Sequence, residues 1–492
     1  MKTNLIIAFT TLFLGLIFWK WGEKMPVADG AGWDGRTYVH LVTHFDEVVQ
    51  KGKLDAYYAQ RLVPSTVMYT AFKVAGMEIT HRRVIRLFDL YNVLLVACAA
   101  FFWGLIADHF RLRDESKWLG FFALFINFCM LKYNFYNPAL TDTTAFFLGV
   151  VMIYLYLSQA TAWLAIATVV AAFTWPTGLV TGLVLLVLPP GVIKVTQPRV
   201  LNWVIAASAA AIACALAYYT VRVLYYTHDR MHSHEFDHAS IIFLFWFLLS
   251  IAYLIRLPAW PLRVEWKVLL VRLGIAALVF SCVYFTLNYL SSSASTSTLR
   301  KFVKANLALA VGRPLIFLVA HFAFFGPIIC VLLLCWKKVS QRIADAGLGL
   351  ALLGVSGLCL AIGSESRQLA MVIPLFMVFA VVVLDDMRLP RSFYVSFALG
   401  AILVSKVWLK MNVDVAGQAV DEDFLVWPWQ RFFGSIGYYM SMQMYSIQAT
   451  VLIVMCYLFH RFYLRQPAAA LDMPAQTVHA PLNHMDAQAV NR

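Results

Sequence analysis

Charge is what this chain has least of. Only 13% of its 492 residues are Asp, Glu, Lys or Arg, against roughly 25% in a soluble globular domain. With 61% hydrophobic residues and a mean hydropathy of +0.73, most of the surface must face lipid or buried protein, and a soluble enzyme is excluded. Cysteine carries no pattern. Cys98, Cys129, Cys214, Cys282, Cys330, Cys335, Cys359 and Cys456 all fall inside apolar runs, none at CxxC or zinc spacing, so neither a disulfide framework nor a zinc module is implied. Acidic residues are outnumbered, 26 against 39 basic, for a net charge of +13. The excess is scattered through short loops, the pattern of cytoplasmic loops against anionic headgroups and not of a nucleic-acid interface. No repeat of convincing period is present. No small-residue cleavage site follows the first apolar run, so 4–19, edged by Trp19, Lys20, Trp21 and Lys24, reads as a retained signal anchor.

What is there instead is a series of apolar runs, each of the about 17–25 residues that cross a bilayer. Besides 4–19 they cover 87–107, 117–132, 143–159, 161–175, 177–190, 200–224, 239–257, 268–290, 311–335, 345–363, 367–384, 391–409 and 443–462. The expected fold is an all-α polytopic membrane bundle of about 14 transmembrane helices, residues 1–465, followed by a disordered cytoplasmic tail at 466–492 that is rich in Ala and Pro. The run 62–77 is short and holds Pro64, Ser65, Thr66 and Lys73. Counting it as a crossing would reverse every later loop. Left as a re-entrant or interfacial helix, it puts Arg111/Arg113/Lys117, Lys194/Arg199, Arg256/Arg263/Lys267, Lys337/Lys338/Arg342, Arg388/Arg391 and Arg461/Arg465 on the cytoplasmic side. Both termini are then cytoplasmic, in what is expected to be a bacterial inner membrane. The pair of runs around Trp175-Pro176-Thr177 reads as a broken hairpin.

The same topology gathers the unusual polar residues on the outer face. The first outer loop, 28–83, carries Asp29 and Asp34 among Gly30, Gly32 and Gly35, with Trp33 and Tyr38 alongside. Glycines let the backbone bend sharply and approach a ligand closely. The segment Tyr136–Asp142 and the loops 225–238, 291–310, 364–368 and 410–440 join it. The His-rich stretch 227–238 matches no zinc pattern and reads as a solvated loop. Trp427 and Trp429 suit a membrane edge.

Three pieces in order, GWDGRTY (32–38), YAQRLVP (58–64) and NPALTDTTAFF (137–147), resemble the GT-C glycosyltransferases. That superfamily includes protein and GPI-anchor mannosyltransferases and lipid A aminoarabinose transferases. The likeness covers the first third of the chain well; beyond it rest Thr174-Trp175-Pro176-Thr177-Gly178 and a late Glu-Ser-Arg at 365–367. The resemblance implies an inverting transferase that takes a sugar from a polyprenyl-phosphate carrier on the non-cytoplasmic face. Asp34 matches the first-loop aspartate that deprotonates the acceptor hydroxyl, with Asp29 as the alternative. Asp142 matches a second acidic position that helps place acceptor or metal. No cofactor is implied, a divalent cation excepted; the partners are the lipid-linked donor, a lipid, glycan or protein acceptor, and membrane lipids.

The chemistry asks for the same groups without the name. Displacing phosphate from an anomeric carbon needs a base on the incoming hydroxyl and positive charge where the phosphate charge develops. Arg300, Lys301, Lys304, Arg313 and Arg367 stand at span ends, at headgroup level; Gln60, Arg61 and Glu365 add polar groups, and Trp33, Tyr38, Tyr57 and Tyr58 offer rings for a sugar. Each has a plainer reading. Asp142 suits a helix N-cap, Gln60 and Arg61 an interfacial anchor, and Glu365 with Arg367 a local ion pair. The rival functions are a lipid or polysaccharide flippase and a structural subunit of an envelope-polysaccharide complex. Few ionisable residues fall mid-span, which weighs against the flippase.

Overall fold

The computed structural model describes residues 2–50, 54–191, 193–195, 237–256, 261–291, 310–412 and 440–465, with a few isolated positions between 211 and 219 and at 306–307. The tail 466–492, the stretch 227–236, the basic group Arg300/Lys301/Lys304 and the loop 421–431 lie outside the described residues. What is described is a helical bundle with one two-stranded antiparallel ribbon, Ile193–Val195 against Pro261–Val264.

Among the described residues, four helices are long and apolar enough to cross a membrane: Lys2–Trp21, His81–His109, Trp266–Leu290 and Met442–Leu464. Two bent pairs bring the number to six if each is one span. The run 117–132, expected as one crossing, is a helix over Asp114–Phe125 that turns by 57° into Cys129–Tyr136; the buried Asn127 side chain at the bend bonds the carbonyls of Ala123 and Leu124 and the Met130 N–H. The run 311–335 breaks more sharply, by 116°, between Ile316–Phe325 and Ile328–Ala346. Its breakpoint is Gly326-Pro327, where Gly326 has φ +81° and proline lacks the N–H to continue the ladder. Six further apolar helices are of 10–17 residues, shorter than the roughly 20 residues that a hydrocarbon core needs.

The helices Lys2–Trp21 and His81–His109 run antiparallel and set the axis of this architecture. Helix Lys2–Trp21 lies along His81–His109, joined at one end by Asn4 Nδ2 to Asp108 Oδ2 at 2.6 Å. At the other end Lys24 meets Asp89, also at 2.6 Å. The Asp108 end gathers loops from far along the chain. Lys117 pairs with Asp108 (2.7 Å), Arg113 with Asp385 (3.0 Å), Arg342 with Asp386 (2.8 Å), and Ser396 bonds the Tyr463 hydroxyl (2.8 Å). These are loops that the charge pattern assigned to a common side. The ribbon likewise joins the basic loops around 194 and 263 to each other.

The Asp89 end carries the first loop. Leu62–Val74 is a 13-residue helix, about 20 Å at 1.5 Å per residue, too short to cross alone. It packs with Trp33–Thr43 around Tyr38, Val42, Met68, Phe72 and Phe88, a small core beside the main one. Elsewhere the bundle leaves apolar side chains outside: Leu278 and Phe285 on Trp266–Leu290 are mostly exposed, a large apolar face of the kind that lipid covers.

Candidate active site

A tight turn starts the site. Over Val27–Gly30, Ala28 and Asp29 both take φ 51°, and Gly30 and Gly32 follow at +97° and +73°. The chain thereby doubles back and enters helix Trp33–Thr43 with Asp34 in its first turn, where the helix dipole favours a carboxylate. The loop docks on the segment before Asp142. Met25 N donates to Tyr136 O (3.0 Å), and a Cβ on Gly32 would stand 2.8 Å from Asn137 Oδ1, so only glycine permits that approach. Asn92 Nδ2 donates to the carbonyls of Asn134 and Pro138 (3.2 and 2.9 Å) and holds the turn that delivers Asp142. Helix Asp142–Leu157 is capped by Thr141, whose side chain makes no capping bond; Asp142 is its first residue and not its N-cap.

These elements enclose a cavity of about 600 Å³. It is lined by eight of the residues singled out in the sequence: Asp34, Tyr38, Tyr57, Gln60, Arg61, Asp142, Glu365 and Arg367. Arg367 ties the two ends of the chain together. Its Nη2 donates to Asp34 Oδ2 at 3.1 Å, and its Nε to Glu365 Oε1 at 2.5 Å. The local pair with Glu365 therefore exists, and it also holds the first-loop aspartate. Asp34 Oδ1 makes no hydrogen bond among the described residues.

Two charged side chains in this cavity have no ion-pair contact among the described residues. Arg61, 8% exposed, stacks its guanidinium 3.7 Å from the Tyr57 ring centre and 5.5 Å from that of Trp175, and donates from Nη1 to Tyr57 O (3.2 Å). No carboxylate among the described residues lies within ion-pair distance of it. Asp142, 3% exposed, has an Oδ1 without a hydrogen-bond partner. Thr177 Oγ1 and Gln368 Oε1, which line the same cavity, share that state. Buried polar groups are ordinarily satisfied, and three of the eight buried side-chain atoms left without a partner among the described residues belong to this lining. Burial pushes the Tyr38 and Tyr57 phenols up from their ordinary range, so both stay protonated and donate. Among the described residues that line the cavity there is no histidine, lysine or cysteine, and Asp34, Asp142 and Glu365 are its carboxyl groups.

Three singled-out residues lie elsewhere. Asp29 is exposed, because the left-handed turn that aims Asp34 points its own side chain outward. Trp33 is half-buried against the main core. Arg313 donates to Met440 O (2.7 Å) and lies over Tyr445. The sequence reading passed over Gln368, whose Nε2 donates to Glu365 Oε2 at 2.5 Å, and gave Trp175 and Thr177 no role; their signal was a polar break between two apolar runs. Among the described residues no three or more His, Cys, Asp or Glu side chains group as metal ligands.

Comparison with family models, with curated proteins and with solved structures finds no match to this chain.

Proposed function

We propose that this protein is an integral-membrane inverting glycosyltransferase of the GT-C kind, moving a sugar from a polyprenyl-phosphate carrier to an acceptor hydroxyl at the cavity. The observation that carries the reading is one cavity holding a buried guanidinium without a carboxylate partner, Arg61, opposite carboxylates with free oxygens, Asp34 and Asp142. An anionic leaving group meets the first and a hydroxyl nucleophile meets the others. Asp34 Oδ1 takes the proton of the acceptor hydroxyl as the hydroxyl oxygen bonds to the anomeric carbon. The carbon–oxygen bond to phosphate breaks on the opposite side, its electron pair leaves with the phosphate, and the anomeric configuration inverts. Arg61 and Arg367 meet the developing phosphate charge. Asp142 Oδ1 and Gln368 Oε1 take hydroxyl donors and orient the reactants, while Tyr57 and Trp175 offer faces to the sugar ring.

In this reading the chain crosses a bacterial inner membrane about 14 times, several crossings being made of broken helices, with both termini cytoplasmic and the cavity on the outer side. The acceptor is a lipid, glycan or protein. Purified protein incubated with a panel of polyprenyl-phosphate sugars tests it, read as donor consumption and release of the polyprenyl phosphate. Consumption of one donor class, lost in Asp34→Asn, is expected. Movement of the lipid across a vesicle membrane with every donor left intact would favour the flippase.

A further inference from the structure

Outside the cavity, one of the buried polar side chains reaches the connection that carries Glu365 and Arg367. His321 lies in the middle of helix Ile316–Phe325, 3% exposed, and its ring meets two groups. Nε2 stands 2.8 Å from Ala361 O, and Nδ1 stands 2.9 Å from Ser366 Oγ. A carbonyl only accepts, so Nε2 carries the proton. Nδ1 then offers its lone pair, and the Ser366 hydroxyl donates to it. The two contacts thus fix one tautomer, and no other ion pair or hydrogen bond of this ring exists among the described residues.

The place of those contacts gives them meaning. Ala361 is the last residue of helix Leu348–Ala361, and Ser366 opens the short turn Ser366–Leu369. Between them lie Ile362, Gly363, Ser364 and Glu365; Arg367 follows at once. The imidazole grips both ends of the connection that presents Glu365 and Arg367 to Asp34. Within the connection the backbone supplies only short-range bonds, Gly363 N to Leu360 O, Gln368 N to Glu365 O and Ala370 N to Arg367 O. These shape the turn but do not anchor it to the bundle. Besides the Arg367–Asp34 bond itself, the hydrogen-bonding anchor from another helix among the described residues is His321.

We propose that His321, acting through Ser366, is a positioning residue that sets where the Arg367 guanidinium stands relative to Asp34. The inference rests on the proposed transferase reading for its kinetic consequence, but its structural content is independent of it. A side chain at 321 has to donate to Ala361 O and accept from Ser366 Oγ. Glutamine offers both functions through Nε2–H and Oε1; leucine offers neither.

Hydrogen exchange on the purified full-length protein reads the structural part without any substrate. His321→Leu and Ser366→Ala are expected to speed exchange of the 362–370 amides at least about tenfold, while amides of 33–43 and 142–157 stay at the wild-type rate. His321→Gln is expected to restore protection. With a donor in hand, His321→Leu and Ser366→Ala are expected to lower kcat about 10- to 100-fold with KM changed less than about threefold. The double variant should be no worse than either single one, since both cut the same link. Unchanged exchange at 362–370 in both single variants overturns the proposal, as does faster exchange there with kcat intact in an active enzyme. If the exchange result holds and the wild-type protein turns over no donor in the panel, the transferase reading fails and the positioning of Arg367 stands. Should His321→Leu not fold, Ser366→Ala and His321→Gln decide the matter alone.

Discussion

Replacing Arg61 by glutamine separates what the residue does for the fold from what it does for the ligand. The guanidinium is buried, stacked on Tyr57 and unpaired by any described carboxylate. For stability, the substitution removes one hydrogen bond to Tyr57 O and the ring stacking, together about 1–3 kcal/mol. It also removes the desolvation cost of a buried, uncompensated charge, an effect of similar size and opposite sign. The melting temperature in detergent is therefore expected to move by less than about 3 °C, either way. For donor binding the losses do not cancel. A charge-assisted hydrogen bond to phosphate is worth about 1.5–3 kcal/mol, which corresponds to about 10- to 150-fold weaker binding. Arg61→Lys should recover part of that as a point charge but not the planar stacking. The assay is titration of purified protein with polyprenyl phosphate or its sugar conjugate, beside a thermal melt of the same preparation. A variant that melts more than about 10 °C lower and binds as tightly as wild type would make Arg61 a structural anchor and refute the reasoning.

Asp142→Asn keeps the size of the side chain and removes a buried carboxylate with an unmet oxygen; transfer is expected to fall about 100-fold with no loss of thermal stability. Glu23 binds a remote segment through the N–H groups of Met411 and Asn412 and through Lys132 at 3.1 Å. Burial alone would raise its carboxyl, but those bonds outweigh burial and hold it below the usual range. A depressed carboxylate stabilises above its unfolded pKa and loses that contribution as pH falls through the folded one. Protection at 407–412, taken as exchange relative to the intrinsic rate at each pH, should therefore fall only as pH drops below the ordinary carboxylate range, and at neutral pH in Glu23→Gln. Gly120 lies under the buried Trp103 indole, whose Cζ2 would stand 2.0 Å from an added Cβ; Gly120→Ala should cost about 1–3 kcal/mol, read as a lower melting temperature with substrate affinity unchanged.

How much of this was legible in the chain depended on how rare a residue was in its surroundings. In a sequence with so few charges, Asp34, Arg61, Asp142, Glu365 and Arg367 stood out beside apolar runs, and ordering the loops by their basic residues placed all five on one side. The cavity brings these five together. Asp29 stood out equally and lies outside it, since spacing does not tell which way a left-handed turn aims its neighbours. Span counting did not reveal the breaks, because hydropathy stays high through them. Neither the polar bend at Asn127 nor Gly326-Pro327 interrupts an apolar window, yet they turn the chain by 57° and 116°. His321 was invisible for another reason: a lone histidine in an apolar helix carries no pattern until Ala361 and Ser366, 40 and 45 residues on, are seen against it.

The central claim is that Asp34 removes the acceptor's proton inside this cavity. Single-turnover transfer from the donor found in the panel, compared between wild type and Asp34→Asn at equal donor occupancy, tests it most directly. The account predicts a chemical step slower by about 10²–10⁴-fold in a variant that melts and binds donor much as wild type does. Transfer at the wild-type rate by the folded variant would contradict it.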